Sequence, residues 1–461
     1  MRALCSLLVL TVAGGCALKD PPKREDIGAQ ALPNLKVPES YAALPAPAPA
    51  QPAQAGWLAA FGDAQLDALV QETLANNPDL QVAAARVEQA ASFAKAAGAT
   101  LWPQVNALLR GGGALSGDSS GLEGGGIFAN WELDVWGRVR SGRAAARDQH
   151  GSAQLDAEYA RQSLAALVAK SWFLASEARL QRMNAEEMAA ASEKQLGLAQ
   201  DRLRVGRGDE YDVALARANL ATFRDSVVNL ELAYRQAVRA LEALAGRYPA
   251  AQLSVPAQLA LLPGPIPVGM PSELLERRPD IVAAERRVAA AFYRVQEAKA
   301  ARLPRISLTA AVTSISSELF VLKDRDNPVW SAGASLTAPL FTGGALQSQV
   351  EIRSAEQKQA VAEYGRVGSR AFGEVETALS TAFALDAREA ILREAVVDNA
   401  RALELANVRF RVGAGDLRAV QQQSLALHAA RTALLRVQAE RLVQRVNLHL
   451  ALGGSFSATP P

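Results

Sequence analysis

The sequence predicts a mainly α-helical protein with a smaller β part that crosses a membrane, built as a tandem duplication. Three observations predict this class. A glycine-rich motif occurs twice, long segments without proline flank each copy, and each half of the chain holds a pair of short alternating segments. Long uninterrupted segments are typical of helices, and alternation of apolar and polar residues is typical of half-buried strands.

The repeated motif predicts a tight turn between two helices. Residues 202–209 read Arg-Leu-Arg-Val-Gly-Arg-Gly-Asp, and residues 409–416 read Arg-Phe-Arg-Val-Gly-Ala-Gly-Asp. A glycine in each copy suits the left-handed residue that ends a helix, and the aspartate suits the N-cap of the next helix. These turn residues are Gly206, Gly413, Asp209 and Asp416.

Other segments recur at nearly the same spacing. Residues 77–80, Asn-Pro-Asp-Leu, match residues 278–281, Arg-Pro-Asp-Ile. The recurrence indicates duplication of a unit of about 200 residues. The predicted boundaries are repeat 1 at 57–246, a proline-rich linker at 247–270, repeat 2 at 271–453 and a C-terminal tail at 454–461.

Each repeat contains the same order of elements, in which a helix is followed by two strands and a long helical hairpin. We predict the strand pairs at 104–115 with 126–135 and at 305–316 with 329–341, and the hairpins at 138–246 and 345–452. The longer helix of each hairpin would extend about 100 Å at about 1.5 Å per residue. A helix of this length needs lateral partners, as in a coiled coil.

The N-terminus is predicted to be a lipoprotein signal followed by a tether. Arg2 precedes an apolar run of about ten residues, and the small residues Ala-Gly-Gly then precede Cys16. This pattern indicates a signal peptide at residues 1–15, with Cys16 as the acylated first residue of the mature chain. A plain signal peptide with an incidental cysteine is the alternative. Residues 16–56, which include an alanine- and proline-rich run, are predicted to be an extended lipidated tether.

The four predicted strands cannot close a membrane-spanning barrel by themselves. Such barrels start at about eight strands, and lipid does not tolerate an open sheet edge. If these strands cross a membrane, several chains must therefore contribute to one barrel. A soluble half-buried sheet is the alternative for any single strand, because the alternating signal is weak in each segment.

Composition and motifs disfavour an enzyme or a nucleic-acid-binding protein. The net charge is +2, and no basic cluster with interleaved aromatic residues occurs. The cysteines are Cys5 and Cys16, and the histidines His150, His428 and His449 lack metal-ligand spacing. No nucleotide-binding or catalytic motif is present, so we expect no enzymatic activity, no metal and no cofactor other than covalent lipid on Cys16.

Further motifs complete the pattern. They are Trp131-Glu-Leu-Asp-Val-Trp-Gly-Arg-Val-Arg140, Leu275-Glu-Arg-Arg-Pro-Asp-Ile281, Leu303-Pro-Arg-Ile-Ser-Leu-Thr309, Ala338-Pro-Leu-Phe-Thr-Gly-Gly344 and both Arg-x-Arg-Val-Gly turns. With the duplication and the strand pairs, they make the chain resemble the TolC-like outer-membrane factors. The closest resemblance is to the lipoprotein branch that serves resistance–nodulation–division efflux pumps.

The resemblance implies a homotrimer in the bacterial outer membrane, lipid-anchored and extending into the periplasm. Three protomers would form a twelve-strand transmembrane β-barrel continuous with a twelve-helix tunnel, with an equatorial collar that includes the linker. The implied function is a passive exit duct of a tripartite efflux pump. Its implied partners are a periplasmic adaptor and an inner-membrane resistance–nodulation–division transporter, with no nucleic acid.

The resemblance also implies roles for residues at the two turns. In this family the turns contact the adaptor, and acidic residues near them line a closed entrance. Asp416 with Arg418 is the first candidate pair for the entrance, and Asp209 with Asp212 is the second. Helix capping or solvated charge is the alternative interpretation for all four. The candidate adaptor contacts are Arg204, Val205, Gly206, Gly208, Arg411, Val412, Gly413 and Gly415.

Two alternatives stand beside the efflux duct. A type I protein-secretion duct would share the fold, although a lipidated Cys16 favours the efflux branch. A periplasmic coiled-coil scaffold or adaptor lipoprotein would show one helical hairpin within β-rich flanking domains. This chain instead predicts two hairpins, with paired strands at matching positions.

Overall fold

The computed structural model describes residues 18–44, 56–110, 122–264, 268–317 and 329–456. These residues belong to two compact units. The first unit draws on Met1–Leu35, Ala83–Ala157 and Asp280–Gly368, and the second on Lys36–Val82, Glu158–Pro279 and Ser369–Pro461. Each unit takes segments from both predicted repeats, so the boundary between the units is not the boundary between the repeats.

The order helix, strand, strand, long helix, return helix occurs twice along the chain. The helices are α1 Arg24–Ala31, α2 Ala64–Asn76, α3 Pro78–Ala99, α4 Arg138–Arg204, α5 Glu210–Leu244, α6 Leu274–Arg277, α7 Pro279–Ala300, α8 Ala345–Arg411 and α9 Leu417–Ala451. The strands are β1 Gln104–Arg110, β2 Leu122–Leu133, β3 Arg305–Ser317 and β4 Val329–Thr337. Helices α4 and α8 each have 67 residues, and α5 and α9 each have 35, so the two hairpins are equal in length.

The first unit contains one antiparallel sheet with the strand order β1-β2-β3-β4. The central pair joins the two repeats, because β2 of the first repeat pairs with β3 of the second, from Leu122 opposite Ser317 to Leu133 opposite Ile306. Within the described residues, β1 pairs only with β2 and β4 pairs only with β3. The sheet therefore has two edges without a partner strand in the part of the chain that the structure describes.

The register of the sheet collects apolar side chains on one face. Residues directly opposite each other in an antiparallel pair share a face. The apolar face carries Val105, Ala107, Leu109, Ile127, Ala129, Trp131, Ile306, Leu308, Ala310, Val312, Trp330, Ala332, Ala334 and Leu336. The opposite face carries Gln104, Asn106, Asn130, Glu132, Ser307, Thr309, Ser331 and Ser335, together with Phe128 and Leu108. The alternation in four separate segments therefore becomes one continuous pattern.

Two strand ends among the described residues differ from the predicted ones by more than two residues. Strand β2 begins at Leu122 rather than at residue 126, because its glycine run is paired on both sides, for example Gly125 with Leu109 and with Ser314. Strand β4 ends at Thr337 rather than at residue 341. Pro339 follows shortly after this end, and proline has no backbone N–H to donate to a ladder. The predicted end of the first strand at residue 115 lies outside the described residues.

The second unit is held together by a core of aromatic and small residues. Trp57, Phe61 and Leu66 pack against a face of α4 that is formed mainly by small residues. Ala165, Ala169 and their neighbours on this face are fully buried. Trp172 on the same helix donates its indole N–H to the Asp63 carboxylate at 2.8 Å. Asp63 also caps α2 by accepting from Gln65 and Leu66. Alanine-rich faces let helices approach closely, which suits hairpins of this length.

The N-terminal segment corrects one prediction. Residues 16–56 were expected to be wholly extended, but α1 forms within them and buries Ile27. The Arg24 guanidinium pairs with Glu285 at 2.8 Å, and the Glu376 carboxylate accepts from the backbone N–H groups of Ala42 and Ala43, each at 2.8 Å. The segment is therefore anchored by contacts with residues far along the chain. The proline-rich run that motivated the prediction lies mostly outside the described residues.

Candidate functional site at the helix tips

The two hairpin turns share one backbone geometry, which their sequences dictate. Gly206 and Gly413 have φ values of 71° and 81°, as expected for the left-handed residue that ends a helix. Each turn closes with the 6→1 hydrogen bond of a Schellman motif, from the Arg207 N–H to the Arg202 C=O at 2.8 Å in the first turn and from the Ala414 N–H to the Arg409 C=O at 2.9 Å in the second. The predicted left-handed glycines are confirmed.

The aspartates that follow the turns cap the return helices. Asp209 accepts from the Asp212 N–H at 2.8 Å, and Asp416 accepts from the Ala419 N–H at 2.8 Å. Both N-caps predicted from the sequence are therefore confirmed. Capping uses one oxygen of each carboxylate and leaves both side chains exposed. Their negative charge thus remains available at the tip.

The two tips pack against each other inside the second unit. The Arg202 guanidinium donates to the Phe410 carbonyl at 2.9 Å and lies 4.3 Å from the centre of the Phe410 ring. A small apolar cluster underlies this contact and consists of Ala199, Val213, Ala216, Phe410, Leu417 and Val420. One tip therefore cannot move without disturbing the other.

The structure brings the predicted entrance charges into one neighbourhood. Partial burial raises the pKa of Asp212, and the carboxylates of Asp209 and Asp416 raise it further, whereas Arg202 and Arg418 lower it. The Arg418 guanidinium lies 5.2 Å from the centre of the Tyr211 ring, so it reaches across to the other hairpin. Three carboxylates and two guanidinium groups therefore act on one another at the paired tips.

The candidate adaptor contacts lie on the surface of the tips. Val205 and Val412 are 66% and 72% exposed. Arg204 pairs with Asp201 at 2.6 Å, and Arg411 donates to the Asn407 carbonyl at 3.4 Å. The second glycines are tightly placed, because a Cβ on Gly208 or Gly415 would lie 3.1 Å from the Cβ of Arg202 or Arg409. The tips thus present exposed valines on a tightly packed turn.

Sequence reasoning missed Phe410 and Tyr211, which connect the two hairpins. Phe410 occupies the place that Leu203 holds in the first copy of the motif. This aromatic substitution inside a repeated motif is the signal that marks the contact. Its partner could not be predicted, because the two hairpins are far apart in sequence.

The motif at residues 131–140 forms the joint between β2 and α4 in the first unit. The Asp134 carboxylate accepts from the N–H groups of Val139 and Arg140 at 2.9 and 2.8 Å, which caps the first turn of α4. Glu132 and Arg138 form a two-point ion pair at 2.9 and 2.7 Å. The acidic and basic residues of this motif therefore fix the direction in which the helix leaves the sheet.

Two tryptophans of the same motif tie the joint to neighbouring segments. Trp131 donates its indole N–H to the Leu101 carbonyl at 2.9 Å, and Trp136 donates to the Pro304 carbonyl at 2.7 Å. Both acceptors lie just before a strand, one in each repeat. The motif thus connects the two repeats where strands give way to helices.

The remaining candidate residues from the sequence are the cysteines and the histidines. Cys16 and Cys5 lie outside the described residues. Within those residues, no group of histidine, cysteine and acidic side chains has an arrangement that could hold a metal ion. His449 is buried and stacks on Trp57, and His428 lies against Phe223 and Asn184. None of the helices in the described part of the chain combines the length and apolar character needed to span a membrane.

Comparison with known proteins gives the family. The model of the outer membrane efflux protein family matches residues 69–247 and 270–454. The pyoverdine export outer membrane protein OpmQ of Pseudomonas putida is 33% identical over 425 residues, covering 88% of this chain and 89% of the relative. The cation efflux system protein CusC of Escherichia coli is 29% identical over 409 residues, covering 87% of this chain and 89% of CusC.

Solved structures agree with the sequence comparison. A crystal structure of CusC superposes with a TM-score of 0.83 at 27% identity, covering 95% of this chain and 100% of CusC. The open state of the MtrE outer membrane channel of Neisseria gonorrhoeae gives a TM-score of 0.82 at 26% identity, covering 96% and 98% of the two chains. The chain therefore belongs to the outer membrane efflux protein family, whose members are outer-membrane efflux channels that extend into the periplasm.

Proposed function

We propose that three copies of this chain assemble into a passive exit duct, with a twelve-strand barrel in the outer membrane and a twelve-helix tunnel below it. The observation that carries the proposal is the sheet, which has an apolar face, a polar face and two edges that lack a partner strand among the described residues. Open edges are not tolerated in lipid, so edge β1 of one copy must pair with edge β4 of the next. An even number of antiparallel strands in each copy makes that pairing antiparallel as well.

The polar face of the sheet would line the lumen and the apolar face would contact lipid. This arrangement follows the usual alternation of a spanning barrel, in which side chains point alternately outward and inward. The equal hairpins of α4 with α5 and α8 with α9 would contribute four helices from each copy to the tunnel. Acylation of Cys16 would add a lipid anchor to the assembly.

The duct would carry small substrates that other proteins deliver. Relatives of this chain are named for efflux pumps, among them the toluene efflux pump outer membrane protein TtgC of Pseudomonas putida, 29% identical over 481 residues. We therefore assign the energy-coupling step to an inner-membrane transporter of the resistance–nodulation–division type. A periplasmic adaptor would contact the exposed tip residues, including Val205 and Val412.

The entrance would be closed by charges at the tips. Threefold symmetry would place three copies of each axial carboxylate around one opening. Asp416 and Arg418 are the pair that we place at the constriction, with Asp209 and Asp212 beside them. Attraction between these carboxylates and Arg418 of neighbouring chains would keep the opening narrow. Opposite charges at short range attract more strongly where water is partly excluded.

Planar-bilayer recordings of the purified full chain test this function. Wild-type protein should insert and conduct, and Asp416→Ala combined with Arg418→Ala should raise single-channel conductance several-fold because the constriction loses its ion pairs. The matched control is Arg401→Ala with Glu404→Ala, which removes an exposed ion pair of 2.6 Å inside α8, outside the turn residues. Unchanged conductance in the tip variant would show that Asp416 and Arg418 do not close the entrance. A wild-type protein that never conducts would contradict the proposed duct.

A further inference from the structure

A cavity of about 280 Å³ lies in the first unit where the strands give way to helices. We call it the junction cavity. Its walls come from the segment after β2, the first turn of α4, the end of α7, the segment before β3 and the N-terminal segment. Leu18 and Lys19 in its wall follow Cys16 by two and three positions.

The junction cavity combines an apolar wall with unbalanced positive charge. The apolar wall consists of Leu18, Val135, Trp136 and Leu303. The Trp136 side chain is half exposed, and its indole N–H donates to the Pro304 carbonyl. Lys19, Lys299 and Arg140 supply the positive charge. None of the described residues that line the cavity is acidic.

Only two of these three charges are available to a ligand. The Arg140 guanidinium is held by the Asp134 carboxylate at 3.1 Å, so its charge is balanced locally. Lys19 and Lys299 are exposed and form no ion pair with any described residue. A flexible ammonium group with three donors suits a phosphate oxygen, to which it binds as a point charge.

The position of the cavity decides between a free anion and a lipid. Strand β2 ends at Leu133 and β3 begins at Arg305, so the cavity sits directly beside the helical end of the sheet. If the sheet crosses the outer membrane as proposed above, this end lies at the periplasmic surface of the bilayer, at the level of headgroups. Tryptophan rings are enriched at that level. An apolar wall would be of no use to a free phosphate, but it would contact the glycerol and the first acyl carbons of a lipid.

We propose that the junction cavity binds the phosphate headgroup of an anionic phospholipid, with Lys19 and Lys299 contacting the phosphate and the apolar wall contacting the start of the acyl chains. This inference rests on the proposed membrane placement of the sheet. The site would fix the height and rotation of the barrel in the inner leaflet, next to the proposed lipid on Cys16.

Native mass spectrometry of the detergent-purified full chain tests the site, with phosphatidylglycerol as the anionic probe and phosphatidylcholine as the zwitterionic comparison. Wild-type protein should retain phosphatidylglycerol in preference to phosphatidylcholine, and Lys19→Gln with Lys299→Gln should weaken that retention roughly tenfold. The matched control is Lys95→Gln with Lys358→Gln, which removes two exposed lysines of the same unit that lie away from the cavity.

Three outcomes would overturn the site. They are equal retention by the two double variants, equal retention of both lipids by wild-type protein, and displacement of phosphatidylglycerol by millimolar inorganic phosphate, which would identify the ligand as a free anion. Single-channel conductance of the same preparations separates this inference from the proposed function. The Lys19 and Lys299 variant should conduct like wild type, whereas failure of every preparation to conduct would count against the duct and the membrane placement together.

Discussion

Asn77 and Arg278 occupy equivalent positions in the two repeats and make the same contact with different chemistry. The Asn77 side-chain amide donates to the Leu244 carbonyl at 2.9 Å, and the Arg278 guanidinium donates to the Ala451 carbonyl at 3.2 Å. Each acceptor is the last residue of a return helix, whose final carbonyls lack partners within the helix. In each repeat, the residue before the proline that begins the helix therefore binds the end of the return helix of the same repeat.

Both side chains are buried, but Arg278, unlike Asn77, also contacts side chains of two other helices. Its side chain is 1% exposed, pairs with Glu374 at 2.6 Å and donates to the Tyr159 hydroxyl at 3.3 Å. We expect Arg278→Met to lower the free energy of unfolding by about 2 kcal/mol, since polar groups lose a charged partner in a buried place. Thermal unfolding followed by circular dichroism measures the change.

The matched control for this prediction is Arg370→Met. Arg370 lies 3.6 Å from the same Glu374 carboxylate, but its side chain is 47% exposed. Exposed ion pairs contribute about 1 kcal/mol or less, so this variant should unfold close to wild type. Equal loss of stability in both variants would show that burial of Arg278 is not the source of its effect.

His449 should make stability depend on pH. Its ring is buried, stacks on Trp57 with a centroid distance of 5.5 Å, and has no hydrogen-bond partner at either nitrogen among the described residues. Burial, with a smaller effect of Arg445, lowers the pKa of His449 to about 4. A pKa below the unfolded value of about 6.5 means that folding keeps the ring neutral, so its contribution is present above pH 6.5 and is lost as pH falls toward 4.

Denaturant unfolding at several pH values checks this dependence. Between about pH 6.5 and pH 4, wild-type protein should lose up to about 1.4 kcal/mol per pH unit more than His449→Phe, which keeps the stacked ring but cannot be protonated. Above about pH 7 the two proteins should show parallel pH profiles. Parallel profiles across the whole range would contradict a neutral buried His449.

The ends of helices could be predicted from the sequence wherever residues at the end itself terminate or cap the helix. The helices of both hairpins end within a residue or two of the predicted positions, because Gly206, Gly413 and the capping aspartates act locally. Helix α1 was missed because only Ile27 of its eight residues is buried, and its anchor, Glu285, lies far along the chain. The partners of Phe410 and Arg278 were missed for the same reason, since they are set by packing between distant segments.

The turn geometry gives a prediction that separates backbone strain from crowding. Gly206 and Gly197 lie in the same hairpin, and a Cβ added at either would meet no atom within 4 Å. They differ in backbone conformation, because Gly206 has a φ of 71° and Gly197 lies inside α4. We expect Gly206→Ala to destabilise the tip by about 1 kcal/mol and Gly197→Ala to stabilise the helix by a similar amount, about 0.5–1 kcal/mol.

Hydrogen exchange of the tip amides measures both effects. In Gly206→Ala the amides around residues 202–209 should exchange faster than in wild type, because the turn opens more often. In Gly197→Ala exchange in the same region should be unchanged or slower. Faster exchange in both variants would mean that the turn does not depend on the left-handed residue.

At the scale of the whole molecule, the proposed assembly rests on the two sheet edges, which have no partner strand among the described residues. The face assignments of the strands could be read from alternation alone, and the pairing of β2 with β3 joins the two repeats into one sheet. The edges at β1 and β4 could be recognised only once the strand order was known, because alternation gives faces but no neighbours. The proposed trimer therefore rests on an arrangement that no single segment encodes.

The most direct test of this account is a disulfide across the proposed subunit boundary. Asn106→Cys on β1 is combined in turn with Ser331→Cys, Ser335→Cys or Thr337→Cys on β4, all on the polar face of the sheet. The control combines Asn106→Cys with Thr309→Cys on β3, which already has both neighbours within the chain. After mild oxidation in membranes, the account predicts covalent dimers and trimers on non-reducing gels for at least one β1–β4 combination and monomers for the control. Monomers in every β1–β4 combination would contradict the shared barrel.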